Sequence, residues 1–147
     1  MNKIINKGLD LPIEGSPTDD IRVFSDPKYI VVDPREFKSV KPKLIAKVGD
    51  SIIIGDTLFY DKNDREINFL SNISGELENV EYGERRVITS IKIKNDKEYS
   101  YKEFPKININ SIESLSLEDA KKELCTRGLW PMIRQKPYDI IPSLSIT

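Results

Sequence analysis

The chain is predicted to be mainly β, a small barrel or sandwich of short strands followed by one helix. Three observations predict this. Short apolar runs rich in β-branched and aromatic residues recur between residues 28 and 94. Glycine-containing turns separate them at close spacing. The first clear helix signal comes only at Ser116, after the strand pattern has ended.

The elements are taken in chain order. Residues 3–5 read as a short strand and Lys7-Gly8 as a turn, and Pro12, Gly15 and Pro17 break the next stretch into short pieces. "KYIVVD" (28–33) is an apolar β-rich run bounded by Pro27 and Pro34, and "KLIAKV" (43–48) comes after Pro42. In "VGDSIIIGDTLFYDKND" (48–64), Gly49-Asp50 turns the chain and a short strand comes next. Gly55-Asp56 turns it again before "TLFYD" runs to a charged tip. "EINFLSNI" (66–73) returns from that tip. "ELENVEYG" comes after the turn at Ser74-Gly75. After Gly83-Glu84, "RRVITSIKIK" (85–94) alternates, with Val87, Thr89, Ile91 and Ile93 on one side. Ile52, Ile54, Leu58, Ile73, Leu77, Val80, Val87 and Ile91 are the expected inward-facing core.

The helix has both ends marked. Ser116 is a natural N-cap with Asp119 three residues on, a variant of the capping box. Leu117, Ala120, Leu124 and Cys125 fall on one stripe, and Gly128 sits where a C′ residue would. The composition shifts near Lys106, which places a boundary around residue 105: a β domain over 1–105 and a helical linker over 106–147. The last stretch, "GLWPMIRQKPYDIIPSLSIT", has three prolines and no closing element, so it reads as a connection cut short.

Composition narrows the chemistry. Of 147 residues, 38% are hydrophobic and 32% charged, with a net charge of −1, which suits a globular protein without an overall field for nucleic acid or an anionic membrane. The N-terminus lacks the apolar stretch of a signal peptide, and no apolar run exceeds about five residues where a membrane helix needs roughly 20. There is no histidine, so histidine triads and zinc–histidine sites are excluded, and one cysteine, Cys125, allows no internal disulfide. No dinucleotide or phosphate-loop glycine motif is present. No carboxylate pair can be nominated from sequence.

Four pieces carry a resemblance: "INKGLDLPIEGSP", "KPKLIAKVGDSIIIGDTLFYDK", "SGELENVEYGERRVITSIKI" and "GLWPMIRQKPYDIIP", in that order. Together they resemble the N-terminal part of the A subunit family of the sodium-translocating NADH:quinone reductases, and more distantly the C subunit of the Rnf electron-transport complex. The resemblance spans nearly the whole chain. It implies a barrel-sandwich hybrid of the biotinyl/lipoyl-carrier type, followed by a helix and the start of an α/β domain. It also implies a peripheral, non-redox component on the cytoplasmic side of a bacterial inner membrane, reaching that membrane only through partner subunits. The complex as a whole uses NADH and ubiquinone and exports sodium. Its flavins and iron–sulfur centre sit on other subunits, no cofactor is expected on this chain, and the chain alone is not expected to catalyse. Family members are considerably longer, which also reads this chain as a fragment.

Three groups of residues are weighed as sites. Lys62 stands where a carrier domain presents its modifiable lysine. Its surroundings, "YDKNDRE", are good turn chemistry but lack the residues a ligase recognises, so an ordinary turn lysine is preferred and a biotin or lipoyl carrier is the alternative. A free-standing interaction module sharing the fold is a third reading. Arg85 and Arg86, expected on opposite faces of a strand, are either a partner contact or a charged edge that resists aggregation, and the second is preferred. Trp130, Met132 and Arg134 mix apolar surface with charge, as a quinone-proximal site would, although simple packing of Trp130 between helix and barrel is preferred. Gly8 and Gly15, framing Asp10 and Pro12, are read as structural, and Cys125 as a small buried hydrophobe. Lys62 is predicted to be unmodified. An intact mass free of any biotin- or lipoyl-sized increment checks this, and such an increment on Lys62 would establish the carrier reading instead.

Overall fold

A computed structural model describes residues 14–145. The expected strand at 3–5, the Lys7-Gly8 turn, Gly8, Asp10 and Pro12 lie outside them. Among the described residues, seven strands form two sheets. β1 (Tyr29–Val32), β3 (Ser51–Ile52), β6 (Gly75–Tyr82) and β7 (Ile88–Asn95) make a four-stranded sheet in the order β1-β7-β6-β3. β2 (Pro42–Leu44), β4 (Thr57–Asp61) and β5 (Asp64–Leu70) make a three-stranded sheet in the order β2-β4-β5. All pairings within the two sheets are antiparallel. One hairpin, β4–β5, belongs to the small sheet and the other, β6–β7, to the large one.

The two Gly-Asp turns form as the sequence predicts, and they are built alike. In the first, the Asp50 N–H donates to the Lys47 carbonyl at 3.0 Å while its carboxylate accepts the Lys47 N–H at 2.8 Å. In the second, the Asp56 N–H donates to the Ile53 carbonyl at 3.1 Å and its carboxylate accepts the Ile53 N–H at 3.0 Å. Glycine stands third in each, at φ +93° and +95°, the positive φ that a type II turn requires there.

Between the sheets lies the core. Leu58, Phe59, Ile67 and Phe69 enter from the small sheet, and Ile52, Leu77, Ile88, Ile91 and Ile93 from the large one. Phe59 and Phe69 are direct cross-strand partners whose rings stack at 4.4 Å with an 11° interplanar angle. Phe37 meets Phe69 edge-on at 4.7 Å. Aromatic pairs in these arrangements add about 0.5–1.5 kcal/mol each beyond their burial.

The chain crosses from one sheet to the other through residues 71–74, and the crossing is largely buried. Ser71 and Ser74 are 3% and 0% exposed. Their hydroxyls are satisfied locally: Ser71 Oγ donates to the Ile73 carbonyl at 2.7 Å, and Ser74 Oγ to the Asp96 carboxylate at 2.6 Å. That hydrogen bond and the Glu98 N–H hold the Asp96 carboxyl below the usual carboxylate range. Gly75 comes next at φ +150°, and a Cβ there would lie 1.9 Å from the Lys94 carbonyl oxygen. Only glycine lets β6 leave the crossing this close to β7.

Several expectations need correction. Val87 is 46% exposed, and Ile88 takes its place in the core. The register steps from Glu81↔Ser90 to Tyr82↔Ile88, so Thr89 is the extra residue of a bulge and the alternation changes phase there. Ile54 is half-buried, held by a bridge to Tyr101 on the segment after β7. Val80 is only partly buried against the core. The strand expected over 43–48 stops at Leu44, because Ile45 and Ala46 both donate to the Leu58 carbonyl, at 2.9 and 3.4 Å.

The helix α1 (Leu117–Thr126) is capped as predicted. Ser116 Oγ accepts the Asp119 N–H at 3.1 Å, and its hydroxyl donates to the Asp119 carboxylate at 2.6 Å. At the other end the Leu129 N–H reaches the Leu124 carbonyl and the Gly128 N–H reaches the Cys125 carbonyl, at 2.8 and 3.1 Å. With Gly128 at φ +65°, this is a Schellman motif. Leu117, expected on the buried stripe, is instead 62% exposed at the first turn. No helix among the described residues is long and apolar enough to cross a membrane.

Ile91 is fully buried, so Ile91→Ala is expected to destabilise by about 2–5 kcal/mol. Gly75→Ala is expected to cost about 3 kcal/mol or more, since β6 and β7 must separate locally. Denaturant midpoints check both, and an unchanged midpoint for either would overturn the packing described.

Candidate functional site

The β4–β5 hairpin ends in a two-residue loop, Lys62-Asn63, between the paired Asp61 and Asp64. Asp61 is buried and fixes this tip. Its Oδ1 accepts N–H groups from Lys41 and Asn63, both at 3.0 Å. Asn63 Nδ2 donates to the Ser39 carbonyl at 3.2 Å, and the Lys62 N–H to the Lys41 carbonyl at 2.9 Å. The tip is therefore bound to the segment that leads into β2, and the Lys62 side chain is left exposed.

Lys62 does not stand alone. It lines a cleft of about 800 Å³ between the β2 segment and the end of the β6–β7 hairpin. Lys41, Lys43 and Lys47 line one side, and Arg85 and Arg86 the other, with Tyr82 and Val87 beside them. Among the described residues, no carboxylate lines it. Arg85 and Arg86 do not lie in a strand, as the sequence suggests. They occupy a 3₁₀ turn, Glu84–Arg86, with φ of +54° and +59°. Two successive non-glycine residues in the left-handed region cost about 1 kcal/mol or more each, a strain that recurs at functional sites.

The C-terminal residues named from sequence separate into different environments. Trp130 is buried, and its indole N–H donates to the Pro142 carbonyl at 2.9 Å. The 3₁₀ turn that holds it, Trp130–Met132, packs beside β5 and α1. Packing of Trp130 against helix and barrel is thus what the structure shows. Met132 is 77% exposed. Arg134 lies with its guanidinium 5.3 Å from the centre of the Phe37 ring, and its buried Nη1 has no hydrogen-bond partner. Lys136 beside Asp139, with Arg134 and Lys38 further off, holds that carboxyl below the usual range.

Cys125 is the one cysteine of the chain and is buried in the core cluster. Desolvation, reinforced by the charges of Asp64 and Glu66, pushes its thiol up to about 11. It remains a neutral thiol near pH 7 and packs as a small hydrophobe. Among the described residues no group of His, Cys, Asp or Glu could hold a metal ion.

Sequence reasoning singles out Lys62, Arg85 and Arg86 separately and does not place them together. It passes over Lys41, Lys43 and Lys47. The signal available is the spacing of Lys41 and Lys43, two residues apart in a β run and so on one face.

The architecture is that of a known family. The family described as "NqrA N-terminal barrel-sandwich hybrid domain" matches residues 4–96, more than half of the chain. The chain belongs to this family. Proteins named as the A subunit of the Na(+)-translocating NADH-quinone reductase are similar to it along nearly its whole length. The one from Saccharophagus degradans is 34% identical over 142 residues, covering 95% of this chain and 31% of the relative. The one from Marinomonas sp. is 31% identical over 143 residues, covering 96% of this chain and 32% of the relative. A third, from Haemophilus influenzae, is 31% identical over 142 residues. The chain spans about a third of the length of these relatives. The resemblance read from the four sequence motifs, and the barrel-sandwich fold it implies, are both borne out.

Asp61→Ala would leave the Lys41 and Asn63 N–H groups of the tip unpaired and is expected to destabilise by about 1–3 kcal/mol. Asp61→Asn, which keeps an acceptor at Oδ1, is expected to recover most of that loss. Thermal denaturation of both variants checks this, and equal losses would show that the tip does not depend on these bonds.

Proposed function

We propose that the chain is the N-terminal barrel-sandwich portion of the A subunit of a sodium-translocating NADH-quinone reductase, serving there as a structural and binding part. The observation that carries this reading is similarity to such subunits over at least 95% of the chain in the relatives from Saccharophagus and Marinomonas. In this reading the complex couples NADH oxidation and ubiquinone reduction to sodium export. The chain sits on the cytoplasmic side of the inner membrane and reaches it through partner subunits.

That the iron–sulfur centre of the complex lies on other subunits is supported by the donor set of this chain. A sequence without histidine and with one buried cysteine cannot ligate an iron–sulfur cluster, which needs four Cys or His ligands. A quinone-associated role falls to Met132, which is exposed, and Arg134, whose cationic group lies beside the Phe37 ring. Trp130 is the buried member of the 3₁₀ turn that carries Met132.

Affinity purification of the tagged protein from its own membranes tests the reading. Membrane subunits and a sodium-dependent NADH:quinone reductase activity are expected to co-purify. Recovery of the tagged protein free of both would overturn it.

A further inference from the structure

We infer that the cleft between β2 and the Glu84–Arg86 turn is a docking groove for an extended acidic segment of a partner protein. The charge pattern carries the inference. Lys41, Lys43, Lys47, Lys62, Arg85 and Arg86 line one cleft with no carboxylate among its described lining residues, in a chain whose acids and bases nearly cancel at a net charge of −1. None of the six takes part in the four ion pairs found among the described residues. Their side chains also make none of the hydrogen bonds found there. Six unpaired like charges around one concavity repel one another, and a ligand of opposite sign relieves that repulsion.

The shape of the site selects the occupant. Lys41, Lys43 and Lys47 are spaced along the segment that holds β2 and runs into the Lys47–Asp50 turn, on one side of the cleft. A small anion would engage one or two of these cations and leave the rest unpaired. An extended polypeptide with carboxylates at intervals meets them along that length. Apolar surface stands between the charges, with Ile45, Tyr82 and Val87 each about half-exposed at 46–55%. This favours a chain that alternates acidic and apolar residues over a phosphate-rich ligand. Strand addition is not the mode, because β2 is only three residues long and begins with Pro42, which has no N–H to donate. Recognition falls to the side chains, with the strained Arg85-Arg86 turn presenting two guanidinium groups able to grip carboxylates in a bidentate manner.

The inference rests on the proposed role in the complex only for the existence of a partner protein. Binding of the 147-residue chain to a fluorescein-labelled peptide of about eight residues, alternating glutamate and leucine, tests it by fluorescence anisotropy. Binding is expected, and it should weaken steeply as salt is raised. Each of two double reversals, Arg85→Glu with Arg86→Glu and Lys43→Glu with Lys62→Glu, should weaken it about tenfold or more. A lysine–leucine control peptide should not bind. No binding of the acidic peptide, or undiminished binding by both reversed variants, would overturn the inference. Sedimentation of the chain with phosphatidylglycerol vesicles, without peptide binding, would overturn it in favour of a membrane surface. Because this measurement needs no other protein, its failure leaves co-purification with the membrane complex intact, and the converse also holds.

Discussion

The architecture depends on one close approach. At Gly75 the chain leaves a buried crossing and starts β6 with its Cα so near the Lys94 carbonyl that no side chain fits. That contact lets β6 pair with β7 on one side and with β3 on the other, Gly75 itself facing both Asn95 and Ile52. The four-stranded sheet is joined there. The same crossing is tied to the small sheet, because Ser71 exchanges backbone hydrogen bonds with the Gly55-Asp56 turn at 2.7 and 2.8 Å. Among the described residues the chain passes between the two sheets at four links. In the link at 71–75 the buried hydroxyls of Ser71 and Ser74 find partners within the protein, as burial demands.

Local chemistry is the part of this fold that the sequence makes legible. Gly49-Asp50 and Gly55-Asp56 announce their turns because glycine and aspartate act within four residues. Ser116 and Gly128 announce the helix ends for the same reason. The phase of β7 is not legible, because the bulge at Thr89 arises from pairing with β6 and not from anything within "RRVITS". Simple alternation therefore puts Val87 inside and Ile88 outside, the reverse of what forms. Arg85 and Arg86 read as strand residues although the chain turns left-handed there, which no propensity of arginine suggests. The cleft is illegible as a site, since only the folded topology brings Lys43 and Lys62 opposite Arg85 and Arg86.

The carrier-like hairpin shows why a shared fold does not by itself fix the chemistry at its tip. The tip has the two-residue loop and exposed lysine that a swinging-arm domain would use. Here the lysine shares a concavity with five other cations, and the turn is fastened through Asp61 to the preceding segment. In the docking proposed above, the tip serves electrostatic recognition of a surface alongside these other cations.

The segment after the helix also bears on that tip. Trp130 is anchored to Pro142, and the Leu144 N–H donates to the carboxylate of Asp64 at 3.1 Å. Asp64 is also the residue that closes the hairpin opposite Asp61. Asp64 thus joins two contacts, the pairing with Asp61 that closes the lysine-bearing loop and the hydrogen bond from the C-terminal segment, so the segment after the helix is fastened to the same hairpin that carries Lys62.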